Sequence, residues 1–192
     1  MAQLIANNNI RGKSSYVIPA GGHTSLGAMA YCDAYREIQA QSDQDYAAII
    51  TAIGTGTTCA GLHLGRKISR DSTHVIGISV GGDLPWCAGE ILTVIHELES
   101  EMELDLSKPQ DLHIYDDYIG EGYTRPYPRL REVIQLLART EGILLDPVYS
   151  GKAMVGLIDL IEKGQFKQEE NVLFLHTGGA PELFTMNDFL SC

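Results

Sequence analysis

The stretch DYAAIITAIGTGTTCAG, residues 45–61, is the part of the chain from which the rest can be placed. Residues 45–53 are apolar along nearly their whole length, which predicts a strand buried on both faces rather than one. A short loop, Gly54-Thr55-Gly56-Thr57, breaks the run, and the spacing beyond it predicts a helix from about Thr58 to Ser69. A doubly buried strand feeding a helix through a short turn is half of a βαβ unit, and such units build parallel sheets with helices on both faces.

Working outward, the same alternation continues. Downstream, residues 73–80 (THVIGISV) predict a further strand and residues 85–102 a long helix rich in apolar and acidic residues. Upstream, residues 15–19 read as a strand, followed by a turn at Gly21-Gly22 and a helix capped by Thr24 that runs to about Gln41, with Leu26, Ala30 and Ala34 along one side. Residues 105–128 are irregular and carry Tyr115, Tyr118, Tyr123 and Tyr127 among glycines and prolines, a composition suited to a site-forming loop. Helices are predicted at residues 129–140, with Val133, Ile134, Leu136 and Leu137 as the stripe, and at residues 151–163, with Met154, Leu157, Ile158 and Ile161. A last buried strand, residues 171–176, ends in the loop Thr177-Gly178-Gly179-Ala180-Pro181. No repeat, low-complexity tract or linker divides the chain, so residues 1–192 are expected to form a single α/β domain.

Composition narrows the function classes. The chain has 192 residues, 14 basic against 25 acidic, and a formal net charge of −11. That balance argues against general binding to nucleic acid or to anionic membranes, because nothing neutralises a run of phosphates. An apolar share of 44% argues against disorder. No apolar run is long enough to span a bilayer, and the first residues lack a secretory pattern, so a cytoplasmic location is expected. Cys32, Cys59, Cys87 and Cys192 lie far apart, with no CxxC pair, which suits reduced thiols better than disulfides or a zinc site. His23, His63, His74, His96, His113 and His176 are scattered, and no metal centre is expected.

Ligands of parallel sheets bind at the carboxyl ends of strands, so the loops there are the candidates. In GTGTTCAG (residues 54–61) the glycines allow close backbone approach, and successive N–H groups at a helix start form a nest for phosphate. It lacks the Lys-Ser/Thr ending of a Walker loop and the GxGxxG fingerprint, and an ordinary capped turn is the competing explanation. In DPVYSGK (residues 146–152), Tyr149 either faces a ligand or is a core tyrosine with a satisfied hydroxyl. Thr177 either meets a ligand ring nitrogen or caps a turn. Lys152 is a possible Schiff-base amine, although a lysine at a helix start is ordinarily solvated.

Five stretches give these loops a family likeness: YVIPAGG (16–22), GTGTTCAG, DDYIGEGY (116–123), LLARTEGILLDPVYSGKAMVGLIDLI (136–161) and ENVLFLHTGGAPELF (170–184). Together they resemble the D-cysteine desulfhydrase and 1-aminocyclopropane-1-carboxylate deaminase family, pyridoxal-phosphate enzymes of the tryptophan-synthase β-like type. The resemblance implies that Thr55, Gly56, Thr57 and Thr58 hold the cofactor phosphate. It places Tyr149 against the pyridine ring and Tyr123 in the substrate pocket as the catalytic pair, with Ser150 and Thr177 toward the cofactor. Deaminases of this family carry Glu and Leu at the last two positions, whereas desulfhydrases carry Ser and Thr, so this chain is similar to the desulfhydrase side. A hydroxyl beside the pyridine nitrogen leaves the ring a weaker electron sink, sufficient when thiolate leaves from Cβ. Thr57 stands where many relatives have Gly, and Gly81-Gly82-Asp83-Leu84 replaces an expected Ser-Arg.

Only the C-terminal part of the family is matched. The N-terminal part, which in relatives supplies the Schiff-base lysine in a GNKxRKLE-like segment and a Ser-Asn-His motif for the substrate carboxylate, is expected to be missing. Lys13, Lys67, Lys108, Lys152, Lys163 and Lys167 stand in other contexts, so pyridoxal 5′-phosphate is expected to bind non-covalently unless one of them substitutes. The resulting expectation is a D-cysteine desulfhydrase, converting D-cysteine to pyruvate, ammonia and sulfide, in truncated form. The alternatives are a catalytically silent phosphate-binding or oligomerising fragment, a 1-aminocyclopropane-1-carboxylate deaminase and, more remotely, a sugar-phosphate binder. Expected partners are a small amino acid and a second copy of the chain or the missing half, which would cover apolar surface left open.

Overall fold

The computed structural model describes residues 2–186 and Phe189. In chain order these form α1 (Ala2–Ile10), α2 (Ser25–Gln41), β1 (Tyr46–Ile53), α3 (Thr57–Ser69), β2 (His74–Ser79), α4 (Leu84–Glu101), β3 (His113–Tyr115), α5 (Pro128–Thr140), α6 (Ser150–Glu162) and β4 (Asn171–Phe174), with two short 3-10 turns between them and a third, Ala180–Phe184, after β4. The strands make one parallel sheet in the order β3-β2-β1-β4, with Ile50 opposite Ile76 and Ile49 opposite Leu173.

The continuous apolar run of β1 is explained by its two neighbours. Ile49 and Ile53 join a core with Ala28, Leu62, Ile91 and Leu98, on the side of α2, α3 and α4. Ala48 and Ile50 join the opposite core with Leu130, Ile134 and Leu157, on the side of α5 and α6. Each layer therefore buries alternate residues of the same strand, as the reading of residues 45–53 requires.

Several expectations are corrected. Residues 15–19 form no strand: Tyr16 and Ile18 are 84% and 71% exposed, and no described strand pairs with them. The inner face of α2 is Ala28, Cys32 and Tyr35, while Leu26 lies outward, because the face is set by close approach to α3. Leu136 and Ile161 likewise point out of their helices. The irregular stretch contains β3, only three residues long and too short to show a period, and its Tyr118 is a core residue whose hydroxyl donates to Asp159 at 2.5 Å. β4 is half-buried rather than buried, since it lies at the edge of the sheet. Cys32, Cys59 and Cys87 are buried free thiols, and Cys192 lies outside the described residues.

The histidines are not all scattered, because Nδ1 of His74 and Nε2 of His113 meet at 3.2 Å on neighbouring strands. Among the described residues no group of three or more His, Cys, Asp or Glu side chains could hold a metal, and no helix is long and apolar enough to cross a membrane.

Candidate functional site

The loops leaving β1, β2 and β4 at their carboxyl ends open into one cavity of about 920 Å³, walled on the remaining side by Tyr123 and Tyr149. Its phosphate-sized corner is the start of α3. Gly56, the residue before that helix, has φ 88°, and a Cβ there would press to 2.8 Å from Ile91, so glycine alone fits. No side chain caps this helix. The first N–H groups of any helix lack partners within it, and here the first helical residues, Thr57 and Thr58, line the cavity together with Thr55 and Gly56. The hydroxyls of Thr55 and Thr57 lie 3.1 Å apart.

Three glycines make room for aromatic walls. A Cβ on Gly54 would stand 3.2 Å from the ring of Tyr149, one on Gly81 would stand 2.9 Å from Tyr123, and one on Gly82 would stand 2.0 Å from the ring of Trp86. Tyr123 and Tyr149 share a hydrogen bond between their hydroxyls, with ring centroids 5.9 Å apart and planes 70° apart. Burial, and then the bond to Tyr123, push the Tyr149 phenol up to about 12, so at neutral pH its oxygen carries a proton. Either oxygen can be the donor in the bond between the two hydroxyls.

Asp146 holds this wall in place, a role that the local sequence DPVYSGK does not reveal. It is fully buried. Its Oδ2 accepts from the backbone N–H groups of Val148 and Tyr149, both at 2.7 Å, and its Oδ1 from the N–H and hydroxyl of Ser150 at 2.7 and 2.6 Å. Ser150 is thereby placed behind the cavity: it is buried, engaged with Asp146, and not among the lining residues. Gly179, at φ 94°, lies so close to the Asp146 carboxyl that a Cβ would come within 2.6 Å, which brings the loop after β4 and its exposed Thr177 to the rim. The neighbouring His176 accepts from the Gly178 N–H through Nδ1 at 3.0 Å, so its Nε2 carries the proton donated to the Leu144 carbonyl at 2.9 Å.

Lys152 corrects the expectation of a solvated helix-start lysine. It is fully buried, and its Nζ donates to the carbonyls of Val80, Ile119 and Gly122 at 3.3, 2.7 and 2.8 Å. Burial holds its ammonium below the ordinary lysine range. The ammonium ties the loop after β2 to the loop that carries Tyr123, and Lys152 is not among the residues that line the cavity. Asp83, in the segment where relatives would carry Ser-Arg, lines the cavity and caps α4 by accepting from the Trp86 N–H at 2.9 Å.

Thr55, Gly56, Thr57, Thr58, Tyr123, Tyr149 and Thr177 thus come together around one space, while Ser150 does not. Comparison with known proteins adds the family: residues 1–178 match the pyridoxal-phosphate dependent enzymes. The chain belongs to that family. A crystal structure of an ACC deaminase homologue is 35% identical, with a TM-score of 0.88, and the match covers 99% of this chain and 57% of that one. Two further structures, an O-ureido-L-serine synthase (18% identical, TM-score 0.58, 96% and 56% covered) and threonine deaminase isoform 2 from Solanum lycopersicum (14%, 0.57, 97% and 55%), share the fold. This chain therefore spans somewhat more than half the length of these relatives. Its sheet is that of the tryptophan-synthase β-like fold, and membership implies pyridoxal phosphate as the cofactor. The residues present fit the phosphate end of that group, since an uncapped helix start with a left-handed glycine suits a dianion. They do not include a reaching amine, because among the described residues no lysine lines the cavity.

Proposed function

We propose that this chain is the cofactor-cradling unit of a pyridoxal-phosphate dependent lyase acting on a small amino acid, with β-elimination from D-cysteine as the reaction. One observation carries the reading: the uncapped start of α3 opens into the same cavity as the bonded pair Tyr123 and Tyr149. Thr55, Gly56, Thr57 and Thr58 would hold the phosphate through N–H and hydroxyl donors, and Tyr149 would lie beside the ring. The cofactor, when bound, supplies an electron sink for the substrate α-carbon. The chain's own part is to orient that group, to keep a phenol O–H available at Tyr123 or Tyr149, and to shield the reacting face from water. Thr177 at the rim supports the desulfhydrase side, although the Ser150 hydroxyl, spent on Asp146, adds nothing to that choice.

A second reading, 1-aminocyclopropane-1-carboxylate deamination, draws on the 35% identity to the ACC deaminase homologue. A third, cofactor binding without turnover, draws on the engaged state of Lys152. Exposed Tyr16, Ile18 and Phe184 suit cover by a second copy, which sedimentation would reveal as a dimer.

The experiment is an absorbance titration with pyridoxal phosphate, then borohydride reduction with mass analysis, and assays with D-cysteine and with 1-aminocyclopropane-1-carboxylate. Saturable binding with sulfide release from D-cysteine supports the first reading. Ammonia from the cyclopropane substrate without sulfide transfers support to the second, and saturable binding without adduct or turnover to the third. A chain that binds no cofactor overturns all three.

A further inference from the structure

His23 stands just before α2 and reaches across to the phosphate loop. Its Nδ1 lies 3.1 Å from the hydroxyl of Thr57, and its Nε2 lies 3.1 Å from the Glu90 carboxylate on α4. The Thr57 hydroxyl in turn lies 3.1 Å from that of Thr55. Four side chains from three parts of the chain therefore form one line, Glu90 to His23 to Thr57 to Thr55, ending in the cavity. The imidazole is mostly enclosed, with a side-chain exposure of 19%.

Counting protons along this line gives it a direction. A carboxylate only accepts, so Nε2 of His23 carries a proton. When the ring is neutral, Nδ1 is a lone pair and takes the Thr57 proton, and Thr57 then accepts the Thr55 proton. Both hydroxyls are spent, and they present lone pairs to the cavity. When the ring is protonated, Nδ1–H donates to Thr57, the line reverses, and a threonine O–H is freed to face an anion. The charge also changes in the favourable sense, from neutral to positive beside the anion site.

We infer that His23, anchored by Glu90, is a proton-linked positioning residue of the phosphate loop, so that binding of a phosphate-bearing ligand takes up a proton from solvent at His23. The inference rests on the phosphate reading of this loop. Before the anion arrives, the positive end of α3 opposes the imidazolium; the bound dianion neutralises that end and favours it. The other charged groups and histidines on the neighbouring elements are His96, Glu97, Glu99 and Glu101 of α4, the last accepting from Ser25 at 2.7 Å, Asp83 at the α4 cap, and Asp33, Arg36 and Glu37 of α2. On α3, the basic residues Arg66 and Lys67 are in the last turn, at the far end of the helix.

The test is calorimetric titration of the whole chain with sodium sulfate, a dianion that does not titrate near neutral pH, in buffers of different ionisation enthalpy. A net uptake above zero and of at most one proton per bound sulfate is expected, with affinity falling by at most about tenfold per pH unit as pH rises. The His23→Gln variant, its fold checked by circular dichroism, is expected to bind sulfate with no proton uptake and a flat pH profile. Sulfate binding by the unaltered chain without proton exchange overturns the inference and leaves the phosphate reading standing, and this arm needs no variant. Uptake that persists in His23→Gln also overturns it. A chain that binds neither sulfate nor pyridoxal phosphate overturns the phosphate reading and the inference together.

Discussion

Among the described residues, Asp146 and Lys152 are charged groups with no exposed surface, and each serves several backbone groups. Removing the Asp146 carboxylate strands two buried N–H groups and both donors of Ser150. Asp146→Ala is therefore expected to lower stability by about 3 kcal/mol, read as a shifted urea midpoint, and to weaken cofactor binding by releasing Tyr149. An unchanged midpoint would show that the four bonds are dispensable. Lys152→Met leaves the Val80, Ile119 and Gly122 carbonyls without their shared donor. Its expected cost is about 1–3 kcal/mol, with faster hydrogen exchange in the loop bearing Tyr123 as the local signature. Neither role is visible in the chain's text. DPVYSGK marks Asp146 and Lys152 as neighbours of Tyr149, but burial and partners come from residues up to 72 positions away.

Among the elements, α2 and α3 approach so closely that glycine is needed at the crossing. A Cβ on Gly61 would stand 2.2 Å from the Ala28 carbonyl oxygen, and one on Gly65 would stand 2.8 Å from Cβ of Tyr35. Helix propensity favours alanine over glycine by about 1 kcal/mol, yet the clash is with rigid backbone and wins. Gly61→Ala is expected to destabilise by about 1–3 kcal/mol, whereas Gly89→Ala, on a helix site with open space around it, is expected to stabilise slightly. Denaturant titration of both variants separates the two effects, and equal shifts would contradict the close crossing. This crossing also explains why the inner face of α2 is Ala28, Cys32 and Tyr35, a choice that a stripe of apolar residues does not reveal.

For the whole molecule, titration sets stability at both extremes of pH. Burial holds His63 down to about 4, from an ordinary value of 6.5, and its Nε2 has no partner. The unfolded chain binds this proton first, so the contribution is complete above pH 6.5 and is lost as pH falls through about 4. His63→Leu should reduce that acid-side slope. On the alkaline side, burial raises Tyr127 and Tyr149 from 10.0 to about 12, and raises Tyr35 and Tyr118 as well. Here the folded state keeps its protons longer, so stability is present below pH 10.0 and is lost as pH rises through about 12. Thermal unfolding followed across pH tests both signs, and a flat alkaline profile would mean that the phenols are open to solvent.

Local pattern alone determined much of this protein. The run of residues 45–53, the Gly/Thr loop and the helix after it specify a βα unit because their periodicity and backbone needs are local properties. The loops that form the cavity were legible for the same reason, since they follow strand ends. Tertiary structure alone decided which apolar residues face inward, that residues 15–19 stay unpaired, and that Ser150 is turned away to Asp146. It alone joined Glu90, His23 and Thr57 into one line. Those outcomes depend on distances between parts of the chain far apart in sequence, and periodicity carries no record of such distances.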